Sequence, residues 1–262
     1  MKPNIRTIKR NINNAFFGTI KYYDSVTSTN EIAMNMDEVQ EGMVIIGGEQ
    51  TKGRGRLKRN WYSPKNGLWF SIILKPHKNK LNKISVLTLI SALAVNEAID
   101  SLNIDTDLKW PNDILHNNKK VCGVLSQFKS KGNQVNRVVV GIGVNLNQKE
   151  FPEDLKGTST SLRIIKGEKV NKGQFLTDVL NNFVFYYEKF KNNEINDIIN
   201  KWKSNMFMLH NVISFSTSDN KKHQGEVVDI TDKGELVVEK ENGEVEKLIA
   251  GDVSIDKNFL SI

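Results

Sequence analysis

Five cations, Lys52, Arg54, Arg56, Lys58 and Arg59, stand in one short segment with Gly53 and Gly55 between them and Trp61 closing it. A segment of this kind can grip a nucleic-acid backbone, cradle a small anion, or simply hold solvated charge. Glycines let backbone amides approach an anion, and guanidinium forks match carboxylate and phosphate oxygens. The chain carries 37 Lys and Arg against 30 Asp and Glu, a formal charge of +7. Setting those five cations aside leaves 32 against 30, so most of the excess sits in one loop. Duplex-binding surfaces spread their cations over a face or along a helix. A focused excess favours a small anionic ligand.

Other chemistries fit less well. Gly48 and Gly53 have the spacing of a phosphate loop, but Arg54 stands in place of its lysine and Gly55 in place of its Ser/Thr. A dinucleotide fingerprint fails because Lys58 follows Gly53 and Gly55 where a third glycine is required. Arg54-Gly55-Arg56 is followed by Leu57 rather than the proline of a minor-groove hook. His77, His116, His210 and His223 are scattered around one cysteine, Cys122, so no metal held by protein ligands is expected. No Gly-x-Ser-x-Gly elbow occurs.

The elements that must position this loop follow from periodicity. "TIKYYDSV", "MVIIGGEQ", "GLWFSIILKP" and "VNRVVVGIGVNLN" read as strands, and "DLKWPNDILHNNKKVCGVLSQF" as a strand, a Pro turn and a hairpin with its tip at Asn117-Asn118. "STNEIAMNM" opens a helix in which Ser28 and Glu31 have capping-box spacing. Residues 84–102 are apolar on most sides, predicting a buried central helix. Residues 172 to about 204 read as helical. Beyond them come "NVISFS", "HQGEVVDI", "GELVVEK" and "EVEKLIAGDVSI", short strands punctuated by glycine turns.

The 262 residues suffice for one core plus a small appended domain, and 39% hydrophobic with 26% charged content is ordinary for a globular chain. One cysteine excludes an internal disulfide and suits a reducing cytosol. The basic N-terminus lacks the apolar run of a signal peptide, and no stretch approaches a membrane span. The expectation is a soluble, cytoplasmic protein.

In order along the chain stand "STN" at 28–30, "GRGRLKRNW" at 53–61, "KWPND" at 109–113, "KVCGVL" at 120–125 and "GIGVNLN" at 141–147. In this series the sequence resembles the biotin–protein ligases, also called biotin–[acetyl-CoA-carboxylase] ligases, over nearly its whole length. Their loop usually reads Gly-Arg-Gly-Arg-Arg-Gly-Arg, so Leu57 and Lys58 depart from it and a hinge glycine is lost. The short stretch before Ser28 resembles the ligase-only type, which has no N-terminal repressor domain.

The resemblance implies an α+β fold. A mixed β-sheet catalytic domain flanked by helices, class II synthetase-like, would span residues 1–209. A small C-terminal SH3-like β-barrel domain would span 210–262. The implied substrates are biotin and ATP with Mg²⁺, and the implied partner is the biotin carboxyl carrier domain of a carboxylase. No specific DNA and no membrane are implied, and a homodimer is left open.

Lys120, Arg54 and Asp113 would be catalytic. Ser28, Thr29, Asn30, Gln50, Arg54, Gly55, Arg56, Lys120, Gly123 and Gly141 would bind biotin, with Gly143 also leaving room for its rings. Arg56, Trp61 and Asn145 would bind ATP, Trp61 by stacking on adenine. The plainer readings stand beside these: Trp61 as core, Lys109, Lys119 and Lys120 as solvated, Cys122 as packing, Asn112 as a turn residue after Pro111. Lipoate or octanoate ligation and a basic nucleic-acid-binding module are the rival functions.

Overall fold

In a computed structural model, residues 3–12, 14–131, 134–216, 222–249 and 253–255 are described. The apolar runs pair into one seven-stranded sheet: β1 (Ile20–Tyr23), β2 (Val44–Gly47), β3 (Leu68–Leu74), β4 (Asp107–Lys109), β5 (Asp113–His116), β6 (Lys119–Lys131) and β7 (Gln134–Val144). Their order is β1-β2-β3-β7-β6-β5-β4, with β1 parallel to β2 and every other pair antiparallel. The β5–β6 hairpin turns at Asn117 and Asn118, where φ of 48° and 61° explains the choice of asparagine.

Side-chain alternation sorts the sheet into two faces. On one face Val44, Ile46, Ile72, Leu74, Cys122, Val124, Val138, Val140, Ile142 and Val144 join the main core. That core is capped by α1 (Ile5–Asn11), α3 (Ile84–Asp100), α6 (Lys172–Lys191) and α7 (Ile195–Ser204), with α3 packed on α6. On the other face Ile45, Ile73 and Val139 make a smaller cluster with Met43 and with Ala33 of α2 (Thr29–Asn35). The same period places Ser71, Gly123, Leu125, Gly141 and Gly143 on the face that carries α2. Two short helices, α4 (Glu153–Lys156) and α5 (Leu162–Lys166), follow β7.

Two expectations change. The stretch 172–204 is two helices, because Asn193 adopts a left-handed φ of 67° between them, a conformation that favours asparagine and ends a helix. Lys80–Asp100 does reach the length and hydropathy of a membrane span, contrary to the reading above, but most of its apolar window is buried inside the fold as the core helix.

The C-terminal strands form a separate antiparallel sheet of β8 (Val212–Ser216), β9 (Lys222–Ile230), β10 (Leu236–Glu239), β11 (Val245–Leu248) and β12 (Val253–Ile255), ordered β11-β10-β9-β8-β12. "EVEKLIAGDVSI" is thus two strands, each on an opposite edge, with residues 250–252 outside the described set. Ile213, Phe215, Val227 and Leu236 belong to the same hydrophobic cluster as the large sheet. The buried Trp110 Nε1 donates to Gly234 O at 3.0 Å, and Lys83 pairs with Asp232 at 2.6 Å. A unit of this size gains from that shared core what it lacks alone.

Lys172 opens α6, and its Nζ donates to Lys65 O at 3.2 Å. Burial, with Lys169 nearby, pulls this ammonium down to about 8. Between there and the ordinary lysine range the unfolded chain binds more protons than the folded one, so stability rises with pH. Chemical denaturation from pH 7 to 10 should show that rise, and Lys172→Met should flatten it. An equal slope in both proteins would place the titrating group elsewhere.

Candidate active site

One cavity of about 450 Å³ lies on the α2 face of the sheet. Ser28, Thr29, Asn30, Gln50, Arg54, Gly55, Arg56, Trp61, Asp113, Lys120, Gly123, Gly141 and Asn145 all line it. Residues separated by more than a hundred positions are therefore brought to a single space. What each does locally differs in several cases from what its type suggests.

At the N-terminus of α2, the Ser28 hydroxyl makes no capping bond. The expected Ser28 cap is absent, and the first free amide of the helix, Thr29 N–H, donates to Gln50 Oε1 at 2.8 Å, a tertiary partner reaching in from the strand side. Gln50 Oε1 also accepts from Thr29 Oγ1 at 3.2 Å, and its Nε2 donates to Ser63 Oγ at 2.9 Å. Ser63 in turn donates to the Trp61 carbonyl at 2.9 Å. Beneath, Ser71 Oγ lies 2.7 Å from both Thr29 Oγ1 and Asn30 Oδ1. A continuous polar chain thus ties the helix start to the end of the basic loop.

Asn30 is fully engaged, since its Nδ2 donates to Leu125 O at 3.1 Å and to Gln127 Oε1 at 2.9 Å. A Cβ at Gly141 would lie 2.1 Å from Asn30 Oδ1. At Gly143 it would lie 2.4 Å from Trp61 Nε1, and at Gly123 it would lie 3.1 Å from the Trp61 ring. These glycines seat protein side chains, and all three also line the cavity.

The basic segment closes on itself. Gly55 N–H donates to Arg59 O at 2.8 Å, Arg59 N–H to Arg56 O at 3.0 Å, and Trp61 N–H to Gly53 O at 2.9 Å. Leu57 and Lys58 occupy left-handed φ values of 51° and 59° at its tip. Lys58 therefore stands in a glycine-favouring conformation at the place where the resemblance expects glycine. Arg56 Nη1 donates to Asn112 Oδ1 at 3.0 Å, and Asn112 Nδ2 donates to Val124 O at 2.9 Å. Asn112 therefore does more than fix a turn: it holds the loop to the sheet.

Lys120 and Asp113 form an ion pair at 2.7 Å, partly exposed to the cavity. A register shift in the β5–β6 pairing brings these two close, and the Lys120 ammonium lies 5.0 Å from the Trp61 ring centre. Asp113 Oδ1 and Trp61 Nε1 are buried without a partner among the described residues, which leaves an acceptor and a donor for a ligand. Asn145 Nδ2 donates to Lys120 O at 3.1 Å, while its Oδ1 accepts from Gln148 Nε2 at 3.1 Å. Asn145 thus anchors the backbone of Lys120. Burial, and then Asp113, push the Cys122 thiol far up, as suits an inert packing residue.

Sequence reasoning missed Ser63, Ser71, Gln127 and the rim formed by Tyr62 and Phe151, whose rings are 6.4 Å apart. Ser71 had a signal, a lone hydroxyl inside the apolar run "LWFSIIL". Among the described residues no cluster of three or more His, Cys, Asp or Glu could hold a metal.

Known proteins share this architecture. Residues 22–145 match the biotin/lipoate A/B protein ligase family, and residues 213–256 match the biotin protein ligase C terminal domain. The bifunctional ligase/repressor BirA of Bacillus spizizenii is 34% identical over 240 residues, 89% of this chain and 73% of that protein. Biotin--[acetyl-CoA-carboxylase] ligase of Paracoccus denitrificans is 35% identical over 123 residues, 45% of this chain and 51% of that protein. The biotin protein ligase of Aquifex aeolicus in complex with biotin and ATP superposes with a TM-score of 0.81 at 32% identity, covering 92% of this chain and 99% of that one. The large sheet is thus that of the biotin/lipoate class of protein ligases. With the C-terminal sheet included, the chain belongs to the biotin protein ligases.

Proposed function

We infer that this chain activates biotin with ATP and joins it to a lysine of a biotin carboxyl carrier domain. The biotin carboxylate attacks the α-phosphorus of Mg-ATP, forming biotinyl-5′-adenylate and releasing pyrophosphate. The acceptor amine then attacks the mixed anhydride, forming an amide and releasing AMP. The first step brings anions together, and fixed cations offset that repulsion. The observation that carries this reading is the convergence of Lys120, Arg54 and Arg56 with the start of α2 in one cavity.

Lys120 neutralises charge at the α-phosphate, and Asp113 holds its ammonium in place. Arg54 and Arg56, with Gly55, face carboxylate and phosphate. Ser28 offers a hydroxyl to biotin, while Thr29, Asn30 and Gln50 shape that end of the cavity. Trp61 offers its indole face and N–H to the adenylate, and Asn145 sets the nucleotide side through Lys120. In this reading residues 1–209 carry the chemistry and 210–262 support the acceptor side. A cytoplasmic location, with or without a homodimer, suits the single buried thiol.

Mass spectrometry of the protein with biotin and Mg-ATP should detect biotinyl-adenylate, and adding a purified carrier domain should consume it. Lipoate or octanoate in place of biotin should yield no comparable adenylate. A preference for either would transfer the reading to the sister activity.

The basic loop also bears on DNA. Outside this loop the chain's charge is nearly balanced, 32 Lys and Arg against 30 Asp and Glu, so duplex binding should be non-specific and should collapse between roughly 50 and 200 mM salt. A sequence-selective gel shift that survives the higher salt would overturn this.

A further inference from the structure

The start of α2 lines the cavity, yet this helix has only seven residues, too few to hold its own geometry in water. Besides Gln50 and Ser71 at its start, α2 is held along its length by the outer half of the β6–β7 hairpin. There Gln127 faces Val139 and Lys129 faces Arg137 across the two strands. By alternation Gln127, Lys129, Arg137 and Val139 share the face that carries Gly141 and α2.

Their contacts run along the helix. Gln127 accepts from Asn30 Nδ2 at its first turn. Lys129 Nζ donates to Met34 O at 3.2 Å. Arg137 Nη1 donates to Ala33 O at 3.0 Å and to Met36 O at 2.7 Å. Arg137 is only 8% exposed, and its guanidinium lies where the last carbonyls of α2 have no helical partner. A cation at a helix C-terminus also opposes the negative end of the dipole.

We propose that Arg137 is a positioning residue for biotin binding, clamping the far end of α2 so that Ser28, Thr29 and Asn30 keep their places in the cavity. Arg137 lies outside the cavity lining and touches no substrate. Its effect is transmitted through the helix backbone. The proposal rests on the biotin ligase reading.

Arg137→Met removes both carbonyl contacts while keeping a long apolar side chain. Biotin affinity, measured by titration calorimetry without ATP, should fall ~10-fold, the scale of losing charged hydrogen bonds. KM for biotin should rise in step, while KM for ATP and kcat at saturating biotin stay near their original values. Arg137→Lys, which keeps a donor, should recover part of the loss. If Arg137→Met proves unfoldable, Lys129→Met should give a smaller rise in the same direction from an exposed position. Unchanged biotin affinity in a foldable Arg137→Met, or in Lys129→Met where that is the variant used, sinks the clamp alone. Equal losses for biotin and ATP, with a lowered melting temperature, would make Arg137 merely structural. Failure of the unaltered protein to bind biotin would remove the ligase reading and the clamp with it.

Discussion

Lys120→Ala should slow biotinyl-adenylate formation by ~10²–10³-fold, the scale for removing one fixed electrostatic stabiliser. Stability should change little, because the Lys120–Asp113 pair is partly open to solvent on both sides. The variant leaves Asp113 without its cation inside the cavity, so a further consequence separates the two roles. Asp113→Asn keeps the size of the side chain but frees the ammonium. If Asp113 only holds Lys120, that change should cost about tenfold, well short of the lysine loss. Single-turnover measurements of adenylate with excess enzyme report this step alone. Near-normal formation by Lys120→Ala would assign charge neutralisation to the arginines of the loop.

Gly141→Ala should be nearly as damaging, for a steric reason. The added methyl would lie 2.1 Å from Asn30 Oδ1 and 2.7 Å from its Cγ. Asn30 has no room to yield, since Ser71, Leu125 O and Gln127 all hold its amide. Displacing it breaks those bonds within a packed site, which should cost about 2–4 kcal/mol of stability. Biotin affinity should fall ~100-fold or more as the start of α2 shifts. Gly157→Ala is the control, because a methyl there meets nothing within 4 Å. Denaturant midpoints and biotin calorimetry on both variants test this. A Gly141→Ala protein that binds biotin normally would show that Asn30 can be displaced without consequence.

How much of this was legible from the chain depended on whether the cause was local. Short apolar runs marked β2, β3 and β7, and consecutive asparagines marked the hairpin tip, since both signals act over a few residues. The basic loop announced an anion site by charge alone. The roles of Lys120 and Asp113 came from resemblance, because a lysine on a strand looks the same whether it is solvated or paired. The failures were tertiary. Ser28 and Glu31 have the spacing of a capping box, but the Ser28 hydroxyl makes no capping bond, and the amide of Thr29 finds a distant partner in Gln50. Two glycines in β7, Gly141 and Gly143, leave room for Asn30 and Trp61, and nothing local in the sequence could show that these side chains approach there. Arg137 reads as a surface cation until α2 is laid across it.

The joint between the two sheets bears on how the chain is made. Trp110 leaves the ribosome 124 residues ahead of Gly234, whose carbonyl receives its indole N–H. Gly234 also packs against Leu89, Ser85 and Val86, so one end of α3 stays uncovered until that turn arrives. At roughly 5–20 residues per second, the nascent catalytic sheet waits on the order of ten seconds with an apolar seam open. During that interval it presents the kind of surface that holding chaperones bind. The turn at Gly234, arriving with the C-terminal strands, is what closes that seam.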